Sequence, residues 1–346
     1  MKAPEPPISP WQLLYGGGHR LRGRWYRDRA RRLPRPVVSV GNLHWGGSGK
    51  TPLVAAVAAH LRDRGLAVCI LSRGYASQGR GVRVVSAGEG PLLGPLLGGD
   101  EPVLLAGELP GVAVVVGTDR YRAGLHALRR LSPPPGLFLL DDGFSHLALR
   151  RDLDLVVFPA ADPFGGGRLF PSGRLREPLA AMSRAHAAIL TGLRDFDGSG
   201  AALAEALRPY GFTGPGFASV TRAGRPRRIG GGGDLTPGAR VFLVTAVARP
   251  DAFVEMVQRL GLEIAGELRF PDHHRYPPAS LSRIVDAWRT SGAETVLTTA
   301  KDRVKLFGRL DVPLAELPVV AEPEPAFWDW LDGKLDKVTP SPGECA

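Results

Sequence analysis

Short, mostly apolar, β-rich runs recur along the first half of the chain: Val37–Val40, Val68–Leu71, Val82–Val85, Val112–Val116, Leu137–Leu140, Leu155–Phe158 and Ala188–Leu190. Between several of them apolar positions return at helical spacing, as in Pro52–Arg64, which stops at Gly65, and Arg120–Leu131, which stops before Pro133. A strand with one wet face alternates apolar and polar residues, whereas a strand apolar nearly throughout must be covered on both faces. The pattern therefore predicts a doubly wound α/β domain with a mainly parallel sheet between helical layers.

The periodicity lapses at Gly224–Gly238, a stretch with six glycines, two prolines and three arginines that reads as a linker or hairpin. Beyond it the alternation resumes on a smaller scale, with strands at Val241–Val244, Leu262–Leu268 and Thr295–Thr298 and helices at Pro250–Leu260 and Pro278–Arg289. The expected organisation is an N-terminal segment (1–36), a first α/β domain (37–223), a linker (224–239) and a second, smaller α/β domain (240–346). The last thirty residues, with Trp328, Trp330 and several prolines, carry no periodic signal.

Length and composition narrow the class. A chain of 346 residues is about two domains long and can bury sizeable cores without staples. Its two cysteines, Cys69 in an apolar run and Cys345 near the C-terminus, form neither a disulfide framework nor a CxxC motif, which fits a reducing cytosol. No run approaches the roughly 18 apolar residues of a membrane span, and the charged N-terminus lacks the apolar core of a signal peptide.

The formal charge of +10 comes from 38 arginines and only six lysines, an arginine bias that a GC-rich genome produces without selection for basicity. Its distribution says more. Between Arg20 and Arg35 lie eight arginines and one acid, Asp28, interleaved with Leu21, Trp25, Tyr26 and Leu33 and preceded by Trp11, Leu13 and Leu14. Such a stretch suits the surface of an anionic membrane, with aromatics at headgroup level and arginines on lipid phosphates; it also suits a solvated basic helix. No nucleic-acid-binding signature accompanies it, so no nucleic-acid partner is expected.

The chemistry-bearing motif is Trp45-Gly46-Gly47-Ser48-Gly49-Lys50-Thr51, between the strand at Val37–Val40 and the helix opening near Pro52. The pattern GxxxxGK[ST] is broken by His44, but the GGxGKT variant of the phosphate loop is intact. In that variant Gly46, Gly47, Ser48 and Gly49 offer backbone N–H groups to phosphates, Lys50 reaches the β- and γ-phosphates, and the Thr51 hydroxyl ligates Mg²⁺. Pro52 costs nothing near the first helical position, and the helix N-terminus faces the anion. A phosphate loop also needs a carboxylate at a neighbouring strand end to hold the metal, and Asp141 and Asp142 stand at the end of Leu137–Leu140. The chemistry expected is therefore that of Mg²⁺ and ATP.

Further motifs stand in order along the chain: Gly41-Asn42 before the loop, Leu71-Ser72-Arg73-Gly74-Tyr75, Gly99-Asp100-Glu101-Pro102, Asp119-Arg120, Asp141-Asp142-Gly143-Phe144-Ser145-His146, Gly173-Arg174-Leu175-Arg176-Glu177-Pro178 and Thr299-Ala300-Lys301-Asp302-Arg303-Val304-Lys305. In order and spacing they resemble the tetraacyldisaccharide 4'-kinase family over nearly the whole chain. The resemblance implies a two-domain, monotopic P-loop kinase at the cytoplasmic face of the inner membrane, phosphorylating the 4'-hydroxyl of a lipid A disaccharide precursor with ATP and Mg²⁺. It nominates Asp100 as the base that takes the hydroxyl proton and, from Phe270-Pro271-Asp272-His273-His274-Arg275-Tyr276, His273 as its partner, with His274 as a competitor. It implies substrate contacts from Arg73, Asp119, Arg120, His146, Arg176 and Glu177, with Lys50 acting in catalysis.

Read from the residues alone, Asp100 sits on a loop after Gly98-Gly99, where an acid can face a cleft. Arg73, Arg120 and Arg176 follow strands, where guanidinium forks can hold phosphates. Lys50, Lys301 and Lys305 are half of the lysines and all fall in these motifs. Ser145 departs from the family's usual glutamine and is too short to copy its reach. The alternative reading is a membrane-associated partitioning-type ATPase, which shares the GGxGKT loop; those proteins usually carry a lysine just before the two glycines, where this chain has Trp45.

Overall fold

The structure is a computed structural model that describes residues 10–75 and 77–338, without the side chains of residues 10–15, 19, 20 and 27. The side chains of Trp11, Leu13, Leu14 and Arg20, and Cys345 altogether, lie outside the described residues. In chain order the elements are α1 (Pro10–Arg27), β1 (Val37–Asn42), α2 (Lys50–Asp63), β2 (Val68–Ser72), β3 (Arg83–Ser86), α3 (Pro95–Gly98), α4 (Asp100–Glu108), β4 (Ala113–Val116), α5 (Arg120–Arg130), β5 (Leu137–Asp141), β6 (Leu153–Pro159), β7 (Ala187–Leu193), α6 (Ser199–Leu207) and β8 (Gly216–Ala223). They continue as β9 (Arg227–Arg228), β10 (Arg240–Thr245), α7 (Pro250–Arg259), β11 (Glu263–Arg269), α8 (Pro278–Ser291), β12 (Thr295–Thr299), α9 (Ala300–Leu306), β13 (Leu314–Leu317), β14 (Val319–Pro323) and α10 (Pro325–Leu335).

Nine strands form the larger sheet in the order β14-β8-β7-β6-β1-β5-β2-β4-β3. Seven neighbours from β8 to β4 run parallel. Both faces are covered, as wholly buried strands require: Val38, Val40, Leu137 and Leu139 pack with Leu53, Val57 and Leu61 of α2 on one side, while Val37, Phe138 and Leu140 pack with Ala123 and Ala127 of α5 on the other. The α2 residues Leu53, Val54, Val57, Ala58 and Leu61 recur at helical spacing, and each large one contributes about 1.5–3 kcal/mol by leaving water. The mainly parallel doubly wound sheet expected from the apolar runs is thus present. The run at Val82–Val85 differs from that expectation: β3 pairs antiparallel with β4 at the sheet edge, its first half only partly buried.

The smaller sheet has the order β11-β10-β12-β13-β9, parallel except where β9 meets β13. Val241 and Leu243 face α7 through Phe253 and Val257; Phe242 and Val244 face α8 and α9 through Ile284 and Leu306. The chain does not stay in this sheet to its end, a correction to the expected 240–346 division. β14 adds antiparallel to β8 of the larger sheet, and α10 buries Phe327, Leu331 and Leu335 in the first core. His60 of α2 fastens this return, stacking on Trp328 at 4.4 Å and sharing a 2.8 Å contact with Asp332. An edge strand needs one apolar face only, so β14 carries no continuous apolar run to betray it. Within 224–239, expected as a linker or hairpin, the chain folds back, Arg227 bridging Asp234 antiparallel, and Arg227 and Arg228 also pair with Glu316 and Ala315.

Candidate active site

The phosphate loop leaves β1 and enters α2 through Gly49, whose φ of 75° is left-handed. A Cβ there would also stand 3.1 Å from Thr191 Oγ1, so glycine is required on both counts. The loop is pinned from outside its own sequence: Asn42 Nδ2 donates to Ser48 Oγ at 2.6 Å and Thr191 Oγ1 to the Ser48 carbonyl at 2.7 Å. His44 explains the broken motif. Its ring is buried edge-on to Phe158, and burial depresses its pKa to about 4, so the side chain faces the core and not the phosphate position. Gly47 lies close to Ala248, the loop after β10, which brings the second domain beside the phosphate loop.

The acids at the end of β5 take different partners. Asp142, with φ of 57°, has both oxygens held by the Arg176 fork, and its Oδ1 is 3.6 Å from Lys50 Nζ. Burial alone would raise its pKa, but Lys50 and then Arg176 outweigh it and hold the carboxyl well below the usual range. Arg176 also donates to the Asn42 carbonyl at 3.0 and 3.2 Å, tying the Asp142 turn to the phosphate loop. Asp141 accepts from Ser72 Oγ at 3.0 Å through Oδ2, while its Oδ1 is buried without a hydrogen-bond partner. Burial, then the charges of Glu101 and Asp142, push its pKa up to about 7. An orphaned oxygen on an acid disfavoured as an anion is where a cation would relieve the cost, and the residues fit Mg²⁺, which takes few protein ligands and keeps waters and phosphates. Among the described residues no cluster of three or more His, Cys, Asp or Glu offers an all-protein cage for a metal.

Asp100 is not on a loop, as its sequence suggested, but is the first residue of α4, after the short α3. Gly99 makes this possible: at φ 89°, ψ 151° it occupies a region nearly closed to other residues and lies against the backbone of Gly74. Acids in a first helical turn are favoured by the helix dipole. Facing Asp100 from the other domain is His273, itself left-handed at φ 61°, with Nδ1 3.7 Å from Asp100 Oδ2. Its ring meets Tyr75 edge-on at 5.3 Å. His274 turns away, stacked on Phe270 and bonded to Ser280 Oγ at 2.8 Å.

The remaining nominated residues fall into two groups. Arg73 lines a cleft of about 450 Å³ with Gly74, Tyr75, Ser77, Arg83 and Thr118. Arg120 is buried behind it, donating to the carbonyls of Gly117 and Thr118 and sensing the charges of Asp141 and Asp142. His146 is largely buried; burial, then Arg120 and Arg151, lower its pKa to about 4. Asp119 and Glu177 are already engaged. Asp119 caps α5 by accepting from the Arg122 N–H and pairs with Arg31 at 2.7 Å, and these contacts outweigh burial to lower its pKa. Glu177 is buried between Arg184, at 2.6 Å, and the Ser145 hydroxyl, so serine reaches its neighbour without a glutamine's length. Thr51 stands one residue into α2.

Sequence reasoning did not single out Ser72, Glu101, Arg184 or Thr191. Ser72 and Glu101 adjoin nominated residues at a strand end and a helix start, which was a usable signal; Arg184 and Thr191 carried none. Near the site, α1 hangs Arg22 on the Ser145 carbonyl at 3.2 Å and exposes Leu21 and Trp25. Among the described residues no helix is long and apolar enough to cross a membrane.

Residues 5–336 match the sequence profile described as Tetraacyldisaccharide-1-P 4'-kinase. A tetraacyldisaccharide 4'-kinase from Pelobacter propionicus is 39% identical, covering 95% of this chain and 92% of its own. One from Anaeromyxobacter sp. strain Fw109-5 is 42% identical over 87% of this chain and 82% of its own. The crystal structure of LpxK from Aquifex aeolicus in complex with ATP superposes with a TM-score of 0.74 at 31% identity, covering 96% of this chain and 98% of that one. With a phosphate loop, a strand-end acid pair and these relatives over nearly its full length, the chain belongs to the tetraacyldisaccharide-1-P 4'-kinase family.

Proposed function

We propose a division of labour for the ATP-dependent 4'-phosphorylation of the lipid disaccharide 1-phosphate that this kinase carries out. Bound Mg·ATP supplies a γ-phosphoryl group whose transfer breaks the β–γ bridging P–O bond and makes one to the substrate's 4'-oxygen. Backbone N–H groups of Gly46–Gly49 cradle the phosphates, and Lys50 neutralises charge that grows as the transfer proceeds. Thr51 and Asp141 are the residues that would hold Mg²⁺, Asp141 having the unclaimed oxygen. Asp142 acts through others: clamped by Arg176, it places Lys50.

Asp100 takes the proton of the 4'-hydroxyl, and His273 orients the carboxylate that receives it. The observation that carries this reading is the 3.7 Å approach of Asp100 and His273 across two domains, beside the phosphate loop. Glu101, the next residue, contributes to the field at Asp141, so the first turn of α4 and the end of β5 face the same space. Arg73 and the cleft it lines suit the phosphate the substrate already bears. The exposed Leu21 and Trp25, beside a run of arginines, support a reading in which α1 lies on the cytoplasmic face of the inner membrane while the acyl chains stay in the bilayer. The deciding experiment supplies γ-labelled ATP and detergent-dispersed disaccharide 1-phosphate; label on the lipid in wild type and its loss in D100N are expected.

A further inference from the structure

Lys301 and Lys305 are four positions apart on α9 and so share one helical face, the face packed against α4 of the other domain. Lys301 Nζ lies 3.4 Å from Glu101 Oε1, 3.4 Å from Asp272 Oδ1 and 3.2 Å from His273 Nε2. Lys305 Nζ, buried at 4% exposure, is 2.8 Å from Asp302 Oδ1 and 3.7 Å from Asp100 Oδ2, the same oxygen that faces His273.

The Lys301 contact has a consequence for the histidine. An ammonium has donors and no acceptor, so at 3.2 Å Lys301 donates and Nε2 must offer its lone pair. A neutral imidazole with an unprotonated Nε2 carries its proton on Nδ1. That nitrogen is the one facing Asp100, 3.7 Å from Oδ2, and it has no hydrogen-bond partner elsewhere or yet at Asp100. The competing arrangement, Nε2–H directed to Asp272 Oδ2 at 3.9 Å, would set that N–H against the Lys301 ammonium 3.2 Å away. Burial works against the charge of Lys301, but Glu101 and Asp272 outweigh it, so the ammonium persists.

We infer that Lys301 is a positioning residue that fixes the Nδ1–H tautomer of His273, while Lys305 anchors the Asp100 oxygen which that N–H addresses. The base pair is then assembled by α9 as a unit, and it forms only where the second domain packs on α4. This rests on the proposed base role of Asp100, but its test does not.

The test is nitrogen-15 NMR of the full-length protein labelled at histidine, with the His273 signals assigned by their loss in H273N. Wild type should show the Nδ1–H pattern. K301M should move toward the Nε2–H form that isolated histidine favours, and kcat should fall about tenfold, a part of the roughly 10²–10⁴-fold that positioned proton transfer contributes, with the KM for ATP kept. K301R, which can still donate, should restore the Nδ1–H pattern and much of kcat. The His60 signals, set by Asp332 in the first domain, report whether K301M keeps its fold. An Nε2–H pattern in wild type, or an unchanged pattern in folded K301M, overturns the inference. Full turnover in D100N would instead overturn the base assignment and leave the tautomer result standing.

Discussion

His273 Nδ1 stands 3.7 Å from Asp100 Oδ2, although one belongs to the loop after β11 and the other opens α4 in the other domain. That gap is slightly longer than a hydrogen bond, and a small closing movement of the domains would complete it. Replacing Asp100 by Asn removes the proton acceptor and keeps the shape. D100N should lose about 10²–10⁴-fold in kcat with ATP affinity retained, measured by steady-state kinetics and calorimetric titration. Retained kcat with weakened ATP binding would place Asp100 among the nucleotide contacts.

Gly99 sets where that carboxylate points. At φ 89° and ψ 151°, with Gly74 Cα 3.2 Å from a Cβ, alanine costs on the order of 1–3 kcal/mol or forces the first turn of α4 to shift. G99A should lower Tm and depress kcat while ATP binds normally. Normal kcat in a destabilised G99A would mean that Asp100 does not need this placement.

Arg176 ties Asp142 to the Asn42 carbonyl at the entry to the phosphate loop. R176K keeps the charge but cannot make the fork or reach the Asn42 carbonyl as well. A loss of roughly 10–100-fold in kcat/KM for ATP is expected, the usual scale for a residue that orients a metal or phosphate ligand. Unchanged kinetics with ATP and a loss confined to the lipid substrate would assign Arg176 to substrate binding.

Asp141 makes the metal-free protein sensitive to pH. Its folded pKa is raised from the ordinary 3.8 to about 7, so between those values the folded chain holds a proton that the unfolded chain releases. Stability contributed by this site is therefore present below the ordinary pKa and is lost as pH rises through about 7. D141N should raise the Tm of metal-free protein at mildly alkaline pH, and the advantage should shrink toward acid. Thermal melts of the two proteins across this range, without and with Mg²⁺, test it; equal melts at every pH would show that the site is not strained.

Leu21 and Trp25 are exposed on α1 and Arg29 covers the Trp25 ring at 4.0 Å. Their replacement by Glu should abolish co-sedimentation with anionic vesicles and leave turnover on detergent-dispersed substrate nearly unchanged. Vesicle binding that survives the double substitution would move the membrane contact elsewhere.

The fold class was legible because parallel strands covered on both faces must be apolar nearly throughout, and β1, β2, β5 and β6 are. The phosphate loop was legible for a related reason: strand, glycines, lysine and helix start are contiguous, so their geometry is local. The return of β14 and α10 to the larger sheet was not, because an antiparallel edge strand imposes little on its own sequence. Nor was the α4 position of Asp100, which turns on one glycine conformation.

By itself the sequence determined the layered α/β architecture, the ATP loop and, through its ordered motifs, the kinase family. Only the tertiary structure decided that Asp142 and not Asp141 is claimed by Arg176, 34 positions away, and that His273 and not His274 meets Asp100. Burial periodicity is written residue by residue along the chain. Which charges meet depends on strand order and domain packing, which neighbouring residues do not encode.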